Sequence, residues 1–163
     1  MDARVKNRLE LSLPSDLEIV ISREFNAPRR HVFEAWTNPE HVKQWYGCDV
    51  VTLTTCEIDL RVQGTYRYVL RMPDGAECMM TGTYLEIVRP NRLVYTERFV
   101  APGVASGEAF VTVTFTERDG RTRMTSTILH ANAGDRDRSL NSGVEKGAGQ
   151  TLDRLESHLQ TMA

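Results

Sequence analysis

Leu17-Glu18-Ile19-Val20-Ile21-Ser22-Arg23-Glu24-Phe25-Asn26-Ala27-Pro28 sets the class of the fold. Leu17, Ile19, Ile21 and Phe25 recur with a period of two, with Glu18, Ser22 and Glu24 between them. That alternation predicts a strand with one buried face. Ala27-Pro28 ends it, because proline fixes its own φ and favours the first turn of a helix. The spacing then becomes helical, with Val32, Phe33 and Trp36 on one side. Asn38-Pro39 interrupts this helix and starts a second, for which Asn38 is the expected cap and Val42 and Trp45 the inner face. Gly47 closes it.

Downstream the pattern is strand and turn. Val50 to Leu60 is β-rich, and after Gly64 a run follows in which Tyr66, Tyr68, Leu70 and Met72 share a face. Pro73-Asp74-Gly75-Ala76 is a turn, since proline presets one dihedral and glycine supplies a positive φ. Strands are expected at Cys78 to Val88, Leu93 to Phe99, Ala109 to Phe115, and Met124 to His130, with Arg118-Asp119-Gly120-Arg121 as a hairpin turn. Ala101 to Gly107 reads as the loosest loop. A polar linker, Asn132 to Ser139, leads to a last helix over about Leu140 to Met162, where Val144, Ala148, Leu152, Leu155 and Leu159 form an apolar stripe. Strands in hairpin succession with helices set apart indicate an α+β fold rather than a doubly wound parallel sheet. A curved antiparallel sheet has a concave face to cover, and the long C-terminal helix is the element large enough to cover it. Residues 17–163 form one domain after a 1–16 N-terminal extension.

The bulk numbers exclude several classes. A net charge of −2 over 163 residues argues against a nucleic-acid partner, which requires a basic surface. No apolar run approaches the roughly 20 residues of a membrane span. The segment Met1 to Pro14 lacks the apolar centre of a signal peptide, so a cytoplasmic location is expected. Cys48, Cys56 and Cys78 form no CxxC pair, and His31, His41, His130 and His158 form no HxxxH or HxH pair. No metal site or disulfide framework is expected from such spacing. Phosphate-loop, dinucleotide and GxSxG patterns are absent, so no cofactor and no catalytic residue is assigned.

Several of these stretches, in this order, resemble the AHSA-like family of the START-like (SRPBCC) superfamily, named for an activator of a heat-shock-chaperone ATPase. They are Phe25-Asn26-Ala27-Pro28, Val32-Phe33-Glu34-Ala35-Trp36, Asn38-Pro39-Glu40 with Trp45, and Ile58-Asp59-Leu60-Arg61-Val62 before Gly64. Met72-Pro73-Asp74-Gly75, Gly82-Thr83-Tyr84, and Gly143 and Gly147 before Leu152-Asp153-Arg154-Leu155 continue the series. The resemblance implies a helix-grip, Bet v-like fold: a curved sheet wrapped around the C-terminal helix, with two short helices after the first strand and a cavity between sheet and helix. It brings no conserved reaction. Where the family usually has two glycines, this chain has Gln63 then Gly64.

That cavity would be lined by Trp45, Tyr66, Tyr68 and Met80, by Tyr95 and Phe115, by Met124 and His130, and by Thr151 on the last helix. Gly143 and Gly147, each costing ~1 kcal/mol relative to alanine inside a helix, leave room for a ligand there, pack closely on the sheet, or belong to a frayed start of a helix that begins only after Gly149. By parity Glu97 faces inward with Tyr95. It either orients a ligand or serves as a base, or else it pairs at the surface with an arginine such as Arg67 or Arg123. Asp59 and Arg61 are expected to pair with a neighbouring strand. Trp36 and Trp45 either line a mouth or anchor the short helices.

Three functions follow. The first is binding of a hydrophobic, amphipathic or lipid-like small molecule. The second is a chaperone-regulating interaction module in a stress response. The third is a cyclase, lyase or hydrolase using Glu97, His130 or a tyrosine. A homodimer through an unpaired edge strand is a further expectation.

Overall fold

The computed structural model describes residues 8–162. Residues 1–7 of the N-terminal extension, and the last residue of the domain, 163, lie outside the described residues. The chain begins with β1 (Glu10–Ser12) and β2 (Glu18–Phe25), followed by helices α1 (Arg29–Thr37) and α2 (Pro39–Trp45). Next come β3 (Gly47–Cys48), β4 (Val51–Ile58), β5 (Thr65–Arg71), β6 (Glu77–Val88) and β7 (Arg92–Ala101). The last strands are β8 (Val104–Ala105), β9 (Ala109–Arg118) and β10 (Arg121–Leu129), and α3 (Ala133–Asn141) and α4 (Val144–Leu159) complete it.

The strands form one antiparallel sheet in the order β1-β2-β10-β9-β7-β6-β5-β4-β3, with β8 added to β7. The α+β architecture expected from the sequence is the one found. In β2, Ile19, Ile21 and Phe25 are buried and alternate with half-buried residues, as the period of two requires. Register shifts between Leu53 and Thr55 and between Tyr84 and Glu86 bend the sheet, because an unpaired residue in one strand kinks the ladder there. Both outer edges are short strands, β1 and β3.

The helix after β2 follows Pro28, and Asn38 caps α2 by accepting from the Glu40 N–H at 3.0 Å. Trp45 donates its indole N–H to the Ala35 carbonyl at 2.9 Å, which ties α2 back onto α1. The C-terminal half of α4 is the packed half: Leu152, Leu155 and Leu159 are buried. Bonds from both ends of the sheet hold this helix. Arg23 of β2 pairs with Asp153 at 2.6 Å, and the Thr151 hydroxyl donates to the Gly47 carbonyl of β3 at 2.8 Å.

Several expectations are corrected. The supposed polar linker is mostly helix, α3, capped by Asn132, which accepts from the Asp135 N–H at 2.8 Å. It buries no residue, so it carries no apolar stripe to read. The last helix is correspondingly shorter than Leu140 to Met162. Gly143 adopts a φ of 88° between α3 and α4, a left-handed conformation that breaks one helix from the next. The loop Ala101 to Gly107 contains β8, and β1 places part of the N-terminal extension in the sheet. Asp59 and Arg61 pair with each other at 2.8 Å on the exposed turn after β4 instead of reaching another strand. Gln63 has a φ of 70°, so a side-chain-bearing residue stands in the left-handed region at the position where the resemblance implies glycine.

Candidate functional site

Between the concave face of the sheet and the N-terminal half of α4 lies a cavity of about 330 Å³. Inward-pointing residues of the strands form its floor: Tyr66, Tyr68 and Leu70 from β5, Met80 and Tyr84 from β6, Leu93, Tyr95 and Glu97 from β7. Val111, Met124, Ser126 and Ile21 continue it across the sheet. Val144, Gly147, Ala148, Thr151 and Leu152 form the roof, and Trp36, Trp45, Tyr46 and Cys48 close one side.

The aromatic residues are sorted. All five tyrosines and both tryptophans of the chain line this cavity, and none of its five phenylalanines does. The rings form a continuous cluster. Tyr66 contacts Tyr68, Tyr84 and Tyr95 at centroid distances of 5.4, 5.6 and 5.5 Å, and Tyr46 contacts Tyr68 at 4.9 Å. Trp36 and Trp45 lie 5.3 Å apart. Such tilted and edge-on contacts are the favoured arrangements of aromatic quadrupoles. Tyr66 reaches its place because Gly82 lies beneath it. A Cβ there would meet the Thr96 carbonyl and the Tyr66 ring, so the bare backbone lets the Tyr66 hydroxyl donate to the Thr96 carbonyl at 2.9 Å.

Among the described residues, Tyr66 is the tyrosine whose hydroxyl is hydrogen-bonded; those of Tyr46, Tyr68, Tyr84 and Tyr95 have no protein partner. Burial pushes all five phenols well above the usual tyrosine value, with the Glu97 charge adding to the shift at Tyr46, Tyr66 and Tyr95. They are neutral at any physiological pH. Burial also pushes Cys56 up to about 11 and raises Cys78, so neither is an activated thiolate.

Among the described residues, Glu97 is the one charged side chain in the lining. Neither arginine considered as its surface partner serves: Arg67 pairs with Glu57 at 2.8 Å and Arg123 with Glu10 at 3.0 Å. Among the described residues its carboxyl has no ion-pair or hydrogen-bond partner. Desolvation pushes its pKa up to about 7.

The structure gathers Trp45, Tyr66, Tyr68, Met80, Tyr95, Glu97, Met124, Gly147 and Thr151 around the cavity. Three residues expected there lie elsewhere. Phe115 is buried against Phe33, with ring centroids 5.7 Å apart, as part of the core under α1. His130 lies past the end of β10, its Nδ1 3.1 Å from the Leu17 carbonyl oxygen. Gly143 is the helix break described above. Thr151 touches the cavity, but its hydroxyl is already engaged with Gly47.

Trp36 takes the lining role that was one of its two alternatives, whereas Tyr46 and Tyr84 are lining residues that the sequence reading missed. Tyr84 shares the parity of Met80 and was open to detection. Tyr46 follows α2 and carries no periodic signal. The reading also passed over Arg23, whose parity places a charge on the inner face of β2. The histidines expected to remain scattered include a pair, since His41 Nδ1 lies 2.8 Å from His158 Nε2. Among the described residues no three His, Cys, Asp or Glu side chains are grouped to hold a metal, and no helix is long and apolar enough to cross a membrane.

The family model described as "Activator of Hsp90 ATPase homolog 1-like protein" matches residues 26–160. The chain belongs to this family. Solved structures similar to this member of the Hsp90-ATPase-activator-homolog-like family include a protein from Rhodobacter sphaeroides, with 22% identity and a TM-score of 0.87 over 95% of this chain and 99% of that one. A protein from Mycobacterium smegmatis has 23% identity and a TM-score of 0.82, over 95% of this chain and 97% of that one. One from Nitrosomonas europaea has 25% identity and a TM-score of 0.80, over 91% and 97%. No curated protein matches the chain. These likenesses establish the helix-grip fold of this family member; its function must come from the site.

Proposed function

We propose that this protein binds a small amphipathic molecule in the cavity between its sheet and α4. One observation carries the reading: every tyrosine and tryptophan of the chain converges on a space of about 330 Å³. That volume lies within the range of small-molecule sites, which are mostly apolar with a few polar groups that fix orientation. The bare Gly147 supports it, because a Cβ at that position would meet nothing within 4 Å. A helix carrying glycine for close packing would have an atom there.

The family's description refers to activation of a chaperone ATPase, and an interaction role would use exposed apolar surface. Phe110 and Leu129, cross-strand partners on β9 and β10, are 44% and 40% exposed. A protein-binding patch takes several hundred Å² of contiguous apolar surface, more than this pair supplies. Eight other large apolar side chains among the described residues, Leu17 and Val104 among them, are also exposed. The cavity is the stronger feature.

The test uses N-phenyl-1-naphthylamine, a neutral fluorophore that brightens in apolar sites. Wild-type protein is expected to enhance its emission saturably. Gly147→Leu, which fills the roof of the cavity, is expected to abolish the enhancement while the protein stays folded by near-UV circular dichroism. Equal enhancement by the two proteins would reject this site as the binding place. Native mass spectrometry of freshly purified protein is expected to show a bound small molecule.

A further inference from the structure

The cavity is polarised in one sense. Among the described residues its lining contains Glu97 and no lysine, arginine or histidine. A carboxyl without a protein partner therefore faces a chamber walled by electron-rich rings, with the hydroxyls of Tyr46, Tyr68, Tyr84 and Tyr95 unengaged. Phenylalanine would give comparable apolar area, yet all five phenylalanines are placed elsewhere. Tyrosine and tryptophan add what phenylalanine lacks: phenol oxygens that accept hydrogen bonds, and in tryptophan the strongest π face for a cation.

We propose that the ligand is an organic cation, an apolar body bearing a protonated amine, with its ammonium group paired to Glu97 inside the tyrosine–tryptophan cage. This rests on the binding function proposed above and names the chemical class bound.

The physical argument turns on what each ligand class leaves unpaired. A carboxylate desolvated without a partner is costly, and an ammonium brings the complementary charge and three donors. One donor meets Glu97 and the others meet free phenol oxygens, while the ring faces attract the remaining charge. A neutral molecule of the same shape gains the same apolar burial and none of this. An anionic amphiphile such as a fatty acid sets its carboxylate against Glu97 with no basic group in the lining to relieve the repulsion.

The protonation state gives the proposal a signature. With the Glu97 pKa near 7, its ionised fraction rises about tenfold from pH 6 to pH 8. The phenols of Tyr46, Tyr66 and Tyr95, which interact with Glu97 from the end of α2, β5 and β7, stay neutral throughout. A primary alkylamine, titrating near ~10, keeps its charge over the same interval. The change in preference for the amine over a neutral ligand therefore belongs to Glu97, since the His41–His158 contact between α2 and α4 acts on both ligands alike.

The experiment compares 2-(2-naphthyl)ethylamine with 2-(2-naphthyl)ethanol as competitors for N-phenyl-1-naphthylamine, on wild type and Glu97→Gln, at pH 6 and pH 8. At pH 8 the wild type is expected to bind the amine at least about tenfold more tightly than the alcohol. Lowering the pH to 6 should weaken the amine by about tenfold and leave the alcohol within about twofold. In Glu97→Gln the preference for the amine should fall below about threefold. An alcohol that binds wild type as well as the amine overturns the proposal, as does a preference that survives in Glu97→Gln. Binding of the alcohol more than about threefold tighter at pH 6 than at pH 8 also overturns it, in favour of a neutral acceptor held by protonated Glu97. If the fluorophore itself is not bound, the binding function fails first and this assignment with it.

Discussion

Glu97 is a residue whose presence costs the fold something. Among the described residues its neighbours are mainly rings and apolar side chains, and no cation or donor stabilises the carboxylate. The sign of its effect on stability follows from the direction of its shift. The native pKa, about 7, lies above the unfolded value near 4.5, so between those limits the native protein binds more protons than the unfolded chain. Stability therefore falls as pH rises through that interval and levels off above it. Glu97→Gln keeps the shape and removes the charge. It is expected to raise the free energy of unfolding at pH 8 by on the order of 2 kcal/mol and to change it little at pH 4. Urea denaturation at the two pH values measures this, and equal effects at both would remove desolvation as the cause of the shift. Residues that lower stability and stay uncompensated mark functional sites more often than structural ones.

At the scale of the element, α4 works as two halves. Leu152, Leu155 and Leu159 anchor one half, and Val144, Gly147 and Ala148 cover the cavity with the other. The buried Arg23 holds them in register from the sheet, with its Nη1 on Asp153 and its guanidinium 5.2 Å from the Phe25 ring centroid. Its Nε has no partner, so Asp153 is its main polar contact. Asp153→Ala is expected to lower stability by roughly 2 kcal/mol, below the range for fully buried pairs because Asp153 is half exposed. Asp153→Asn, which keeps an acceptor, should lose less than half as much. Equal losses in the two variants, read from urea midpoints, would mean that hydrogen-bond geometry matters little there. Elements of this kind differed in how legible they were. The apolar stripe of α4 and the alternation of β2, β5 and β9 could be read because burial on one face imposes a period. Helix α3 could not, since it packs no face and leaves only a capping asparagine as its signal. The cavity floor followed from strand parity at Tyr66, Tyr68, Tyr95 and Glu97. Tyr46 and Trp36 are brought in by how α1 and α2 fold back over the sheet, which is a tertiary fact with no local pattern.

For the whole molecule, the two short helices and α4 must stay closed over the sheet, and His41 and His158 meet at that seam. At 2.8 Å between ring nitrogens one imidazole donates to the other, which requires that at least one nitrogen of the pair be unprotonated. Burial and the neighbouring His41 hold the His158 pKa below the ordinary histidine value. A native pKa below the unfolded one means that the contribution of this contact is present above pH ~6.5 and is lost as the pH falls through the native value. Glu97 acts in the opposite direction over part of the same range, so in the wild type the two partly cancel. The seam is therefore best measured in a Glu97→Gln background. There the thermal midpoint is expected to fall between pH 7.5 and pH 5, and His158→Gln added to that background should flatten the fall. A fall of the same size with and without His158 would assign it to other groups and leave the seam indifferent to acid. The expected result would show that closure of the helices over the cavity and ionisation inside it respond oppositely to pH. An organic cation would then be held best in the slightly alkaline range, where Glu97 is charged and the histidine contact is intact.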